Sequence, residues 1–132
     1  MIFDVKMGEN LRRKAHYVGD GHKTKTPAAM TYSSVVSRDS VRIALLIAVL
    51  NNLDILACNI QNAYLTADCR EKVWIKAGPE FESEEGLYMI VRKALYGLKS
   101  SGAAFRAHLA ETLDAMGYRP TYADPDVLFE QR

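Results

Sequence analysis

The chain is 132 residues long, enough for one domain with its own core and too short for two. Apolar residues make up 48% and charged residues 25%, an ordinary globular composition with no low-complexity segment or internal repeat. Seventeen basic against sixteen acidic residues leave a net charge of +1, so net charge by itself gives no sign of a polyanionic partner.

The distribution of charge says slightly more. Lys6, Arg12, Arg13, Lys14, His22, Lys23 and Lys25 make the start of the chain basic, whereas Glu80, Glu82, Glu84 and Glu85 form an acidic loop. A basic arm suits phosphate contacts, and it equally suits mere solubility. Cys58 and Cys69 lack partners at metal-ligand spacing and no secretory leader precedes them, so a reduced intracellular compartment is expected. The longest apolar run, Ile43 to Leu50, is too short to cross a bilayer, and no membrane is expected as a partner.

In chain order, Ile2 to Met7 and Leu11 to Val18 alternate around the turn signal Gly8-Glu9-Asn10 and predict a hairpin. Gly19-Asp20-Gly21 breaks the pattern, and a polar loop follows through Pro27. Ser37 to Ser40 offers N-caps for a helix over about 38–51, which is apolar almost all round and is therefore expected to be buried. Leu53 to Ile60 reads as a strand covered on both faces, with the polar Asn59 near its carboxyl end. Glu71 to Ala77 alternates cleanly, with Val73, Ile75 and Ala77 on one face, and predicts a strand that Gly78-Pro79 ends. Leu87 to Val91 is the next strand. A small-residue loop, Leu95 to Gly102, then leads into a helix that carries Phe105, Leu109, Leu113 and Met116 and stops at Gly117. A last strand is expected over 126–130, just after Pro125.

Several of these segments together resemble the reverse transcriptases of copia-type retrotransposons. Asn59-Ile60-Gln61-Asn62-Ala63-Tyr64-Leu65 is similar to the family's first catalytic motif, which runs Asp, variable residues, Ala, aromatic, Leu. Leu95-Tyr96-Gly97-Leu98-Lys99 matches a signature loop of the family, and Ala123-Asp124-Pro125 a turn before its main catalytic hairpin. Arg13-Lys14-Ala15-His16 followed by Gly19-Asp20-Gly21-His22 resembles the fingers hairpin, as do Tyr32 to Val36 and Ser40-Val41-Arg42 the segments after it. These motifs span residues 12 to 130 in family order.

The resemblance implies one partial α+β domain, polymerase fingers/palm-like. Residues 1–30 would be a fingers-like hairpin and loop, and 31–132 an incomplete palm with an antiparallel sheet against helices of about 38–51 and 101–116. It implies a Mg2+ or Mn2+ cofactor, an RNA or DNA template–primer and a dNTP as partners, the rest of a polyprotein alongside, and a cytoplasmic particle or nucleus as location. Lys14, His16, Ala63 and Tyr64 would contact the nucleotide, Tyr64 as a gate under the sugar. Arg12, Arg13, Gly97 and Lys99 would contact nucleic acid. The bare residue pattern leaves other roles open, with Tyr64 as core, Lys99 as a solvated loop lysine and the Asp124 and Asp126 carboxylates as turn formers.

Asn59 stands where the family has its first metal-binding Asp, so no metal site is complete in this chain. A neutral His16 and an anionic Asp20 also weaken the fingers. With no Tyr-x-Asp-Asp motif in the 132 residues, the expectation is a polymerase segment that does not polymerise. The other reading is a nucleic-acid-binding remnant or repurposed module.

Overall fold

The computed structural model describes residues 2–6, 12–28 and 31–130. Its elements are β1 (Ile2–Lys6), β2 (Arg12–His16), α1 (Arg38–Leu50), α2 (Ala63–Thr66), β3 (Trp74–Lys76), β4 (Tyr88–Ile90), α3 (Ser101–Ala115), β5 (Tyr118–Pro120) and β6 (Leu128–Glu130). The small α+β composition is as expected, but no common sheet forms among the described residues. The strands make three separate two-stranded ribbons, β1–β2, β3–β4 and β5–β6, all antiparallel. The chain divides into two compact units, Met1–Tyr32 with Asn62–Phe105, and Ser33–Gln61 with Arg106–Arg132.

The first unit holds the expected opening hairpin, with Ile2 opposite His16 and Lys6 opposite Arg12; its turn lies outside the described residues. The alternation over 71–77 becomes β3, whose Ile75 is half-buried between the exposed Trp74 and Lys76. It pairs with β4, Trp74 opposite Ile90 and Lys76 opposite Tyr88. The core is small: Ala67, Ala77, Val91, Ala94, Leu98 and Ala104 are buried, and Tyr64 and Phe105 pack on the Ala67–Ala94–Ala104 cluster. Ser100 and Ser101 are also buried, and both hydroxyls are satisfied. Ser101 Oγ donates to Leu95 O at 2.6 Å, and Ser100 Oγ donates to Glu71 Oε1. Such pairing matters because an unmatched buried hydroxyl costs about 1–3 kcal/mol.

The second unit begins with α1, which starts and stops as its sequence predicts. Ser37 is the N-cap, accepting from the Ser40 amide at 3.0 Å. The Asp124 carboxylate reaches the same end, accepting from Ser37 N at 3.0 Å, Ser40 Oγ at 2.6 Å and Asp126 N at 3.1 Å. These bonds, that from Ser40 foremost, hold the Asp124 carboxyl below the ordinary carboxylate range. Asp124 and Asp126 thus do structural work, and Asp126 further accepts from Arg106 Nε at 2.8 Å. After α3, Gly117 takes a left-handed conformation (φ +93°) and turns the chain into β5, a strand that the sequence pattern did not announce. β5 pairs with β6, which is the expected last strand shortened to 128–130.

Two expectations fail in this unit. Helix α1 has no buried residue, and Ile43, Leu46, Val49 and Leu50 are each more than half exposed. Residues 53–60 form no strand, and Leu56 is 92% exposed. The reason is the same for both. An apolar pattern specifies that a face seeks cover, and burying one Leu or Ile side chain is worth about 1.5–3 kcal/mol. The covering surface must come from elsewhere, and a strand exists only where a neighbour takes its hydrogen bonds. No such neighbour pairs with 53–60 among the described residues. None of the described helices is long and apolar enough to cross a membrane.

The cap of α1 gives a pH-dependent prediction. Because the folded pKa of Asp124 is depressed, its contribution to stability is present above the unfolded carboxylate value and is lost as pH falls through the lower folded value. Asp124→Asn is expected to flatten that acid limb in a circular dichroism titration of helicity. Ser37→Ala should lower stability by about 1 kcal/mol at neutral pH and leave the acid limb in place.

Candidate nucleic-acid interface

The family-like loop Leu95–Lys99 meets the segment Gly19–Thr24 inside the first unit. Gly19 N–H donates to Tyr96 O at 2.7 Å, and Lys99 Nζ donates to Thr24 O at 2.9 Å. Between these bonds the two backbones touch. A Cβ on Gly21 would lie 2.0 Å from Gly97 O, and one on Gly97 would lie 2.0 Å from Gly19 O. Gly97 also has φ +91°, a conformation glycine adopts without strain. Two glycine-bearing turns therefore clasp each other at a distance no side chain permits. The signal for this was present in the sequence as Gly19-x-Gly21, but nothing there said that Gly97 was the surface it would meet.

A second tie anchors the same loop from the other side. Glu71 accepts from both the amide, at 3.0 Å, and the hydroxyl of Ser100, which precedes α3. A carboxylate at a helix N-terminus is favoured by the unpaired amides and the helix dipole there. Glu71 was not among the residues singled out from the sequence, because it lies 29 positions from its partner.

Tyr64, at the start of the one-turn helix α2, is half-buried. Its ring centroid lies 4.6 Å from that of Tyr96 and 6.0 Å from that of Phe105. Its neighbour Ala63 is half-buried, and Asn62 before it is left-handed (φ +52°). The nucleotide-gate residue of the resemblance thus sits in an aromatic cluster beside the signature loop. Gly97 is exposed, and Lys99 is half-buried with its ammonium directed to Thr24. Asn59, in the second unit, is exposed within the irregular segment 53–60. Arg12, Arg13, Lys14 and His16 lie on β2, but their side chains are outside those described.

The electrostatics of the clasp are set by Asp20. Its carboxylate takes a hydrogen bond from Lys23 Nζ at 2.5 Å, which holds it below the ordinary range, and lies 3.4 Å from His22 Nδ1. The anion that stands where the resemblance has glycine thus engages Lys23 internally. Among the described residues, no group of three or more His, Cys, Asp or Glu side chains could hold a metal ion, and Asp68 is paired with Lys93 at 2.7 Å. The clustered anionic oxygens that a hard divalent cation requires are therefore not found among the described residues.

The chain is similar to known proteins over most of its length. The family described as reverse transcriptase (RNA-dependent DNA polymerase) matches residues 2–129, and the chain belongs to it. It is 30% identical, over 95% of its length, to the retrovirus-related Pol polyprotein from transposon RE1 of Arabidopsis thaliana. It is 27% identical, over 92%, to the corresponding polyprotein from transposon TNT 1-94 of Nicotiana tabacum. To the transposon Ty1-NL2 Gag-Pol polyprotein of Saccharomyces cerevisiae it is 33% identical over 76%. The chain spans 9% of the first two and 6% of the third. No solved structure matches.

The clasp predicts a ranked effect of alanine substitution. Gly97→Ala is expected to cost about 1–3 kcal/mol from backbone strain alone, with the collision against Gly19 added to it. At Gly117 nothing lies near the position of a new Cβ, so Gly117→Ala should cost only the left-handed strain. Urea denaturation should therefore rank Gly97→Ala as the more destabilising of the two.

Proposed function

We propose that the chain is the fingers and first half of the palm of a copia-type reverse transcriptase, one part of a larger polyprotein, and that it holds template–primer without polymerising. The observation that carries the reading is Asn59. In polymerases of this class, carboxylates hold two divalent ions, one activating the primer hydroxyl and one steadying the triphosphate. An amide offers a neutral carbonyl oxygen and no charge, so Mg2+ or Mn2+ loses an anionic ligand at that position. The internal Asp20–Lys23 pair supports the same reading, because it diverts a cation from phosphate.

What remains favours binding. The Leu95–Lys99 loop keeps its glycine and its lysine, and its Tyr96 packs at a tilt against Tyr64. Nucleic-acid contact through the exposed backbone and aromatic edge of this loop needs neither metal nor carboxylate, and Lys99, donating to Thr24, holds the loop in place for it.

In a primer-extension assay with Mg2+ or Mn2+, the expected result is no template-dependent incorporation above a blank; incorporation would overturn the loss of catalysis. In parallel, filter binding of a primer–template duplex should show retention at low salt that falls steeply as salt rises. Failure to retain it even at low salt would refute the binding role.

A further inference from the structure

The β3–β4 ribbon has two unlike faces. Ile75 and Met89, opposite each other in the register, are half-buried on one. The other carries Trp74 opposite Ile90 and Lys76 opposite Tyr88, and it is open to solvent: Trp74 is 60% exposed and Tyr88 72%. Immediately before the strand, Lys72 and Arg70 line a cleft of about 520 Å3 with Trp74 and with Lys25, the residue that follows the clasp segment. None of Lys25, Arg70, Lys72 and Lys76 makes an ion pair among the described residues. Glu71, in the cleft wall and held by Ser100, adds one carboxylate against the three cations Lys25, Arg70 and Lys72, so the cleft stays net positive.

We infer that this face and cleft form a second nucleic-acid site, distinct from the Gly97–Lys99 loop, which takes a single strand. The inference rests on the reading of the chain as a nucleic-acid-holding segment and adds to it where and in what form the strand binds. Two exposed aromatic rings interleaved with unpaired cations are poor cover for a protein partner, which would have to desolvate each ammonium. They suit a chain that offers a flat ring and an anionic phosphate in alternation, since bases stack on aromatic side chains while cations follow the backbone. A duplex keeps its base faces stacked inside, so only an unpaired strand presents them to Trp74 and Tyr88. Charge also gives the site a direction. Beyond Lys76 the chain enters the turn carrying Glu80, Glu82 and Glu84, which repels a polyanion. The strand therefore lies over the Arg70–Lys72 end, beside Thr24, whose carbonyl holds Lys99.

The site contains its own reporter, because Trp74 is the single tryptophan of the chain. Titration with a short oligothymidylate at low salt should quench Trp74 emission, and the quenching should reverse as salt rises. Tyr88→Ala should weaken the single strand by roughly 5- to 100-fold. Lys72→Glu with Lys76→Glu should abolish the quenching while the emission of the free protein stays unchanged, which shows the fold intact. Filter binding of a primer–template duplex to the same samples separates the two readings. Duplex retained while oligothymidylate leaves Trp74 unquenched overturns this inference alone. Neither ligand bound overturns both. Undiminished quenching in the double charge reversal also overturns the inference, since it would place the stacking elsewhere.

Discussion

The first unit depends on one contact, the approach of the Gly19–Gly21 backbone to Gly97. It brings together segments some 75 residues apart in the chain, as the Lys99–Thr24 bond measures. Its strength is not in the hydrogen bonds alone, each worth about 1 kcal/mol net. It lies in the absence of side chains, which lets two carbonyl-bearing turns occupy space that any Cβ would fill. Once that contact is made, the Leu95–Ser100 loop is fixed from both sides, by Gly19 and Lys99 on one and Glu71 on the other. Tyr64 then has Tyr96 to pack on, and the β3–β4 ribbon has a cleft beside it.

The second unit shows the opposite economy. Its organising interaction is polar, the Asp124 carboxylate that gathers Ser37, Ser40 and the Asp126 amide at the start of α1. Such a cap fixes where a helix begins but does little to cover its sides. The apolar flanks of α1 and of residues 53–60 remain largely open, although their composition is that of a core. A unit held by caps and ion pairs, with its hydrophobic stripe uncovered, keeps only a part of the stabilisation its sequence makes available.

In the proposed reading, small chemical differences decide how far the family resemblance carries into activity. Asn59 differs from an aspartate by one atom and one charge, and the charge is the part that a divalent cation requires. Asp20 supplies an anion where the resemblance has glycine, and that anion engages Lys23. In the proposed reading both changes act on phosphate and metal chemistry. The glycine contact, the aromatic pair and the capped helix are built from other residues.

The amino-acid sequence by itself determined the local elements. Periodicity and capping residues located the opening hairpin, α1, β3, β4 and α3 to within a few positions, because those signals act between residues close in the chain. It also carried the family, whose model matches residues 2–129. What only the tertiary structure decided is every relation that depends on a distant partner. Gly97 meets Gly21, Glu71 ties Ser100, Asp124 caps a helix 84 positions away at Ser40, and 53–60 fails to become a strand for want of a neighbour. An apolar or polar pattern states what a residue needs, and the fold alone supplies, or withholds, the surface that meets the need.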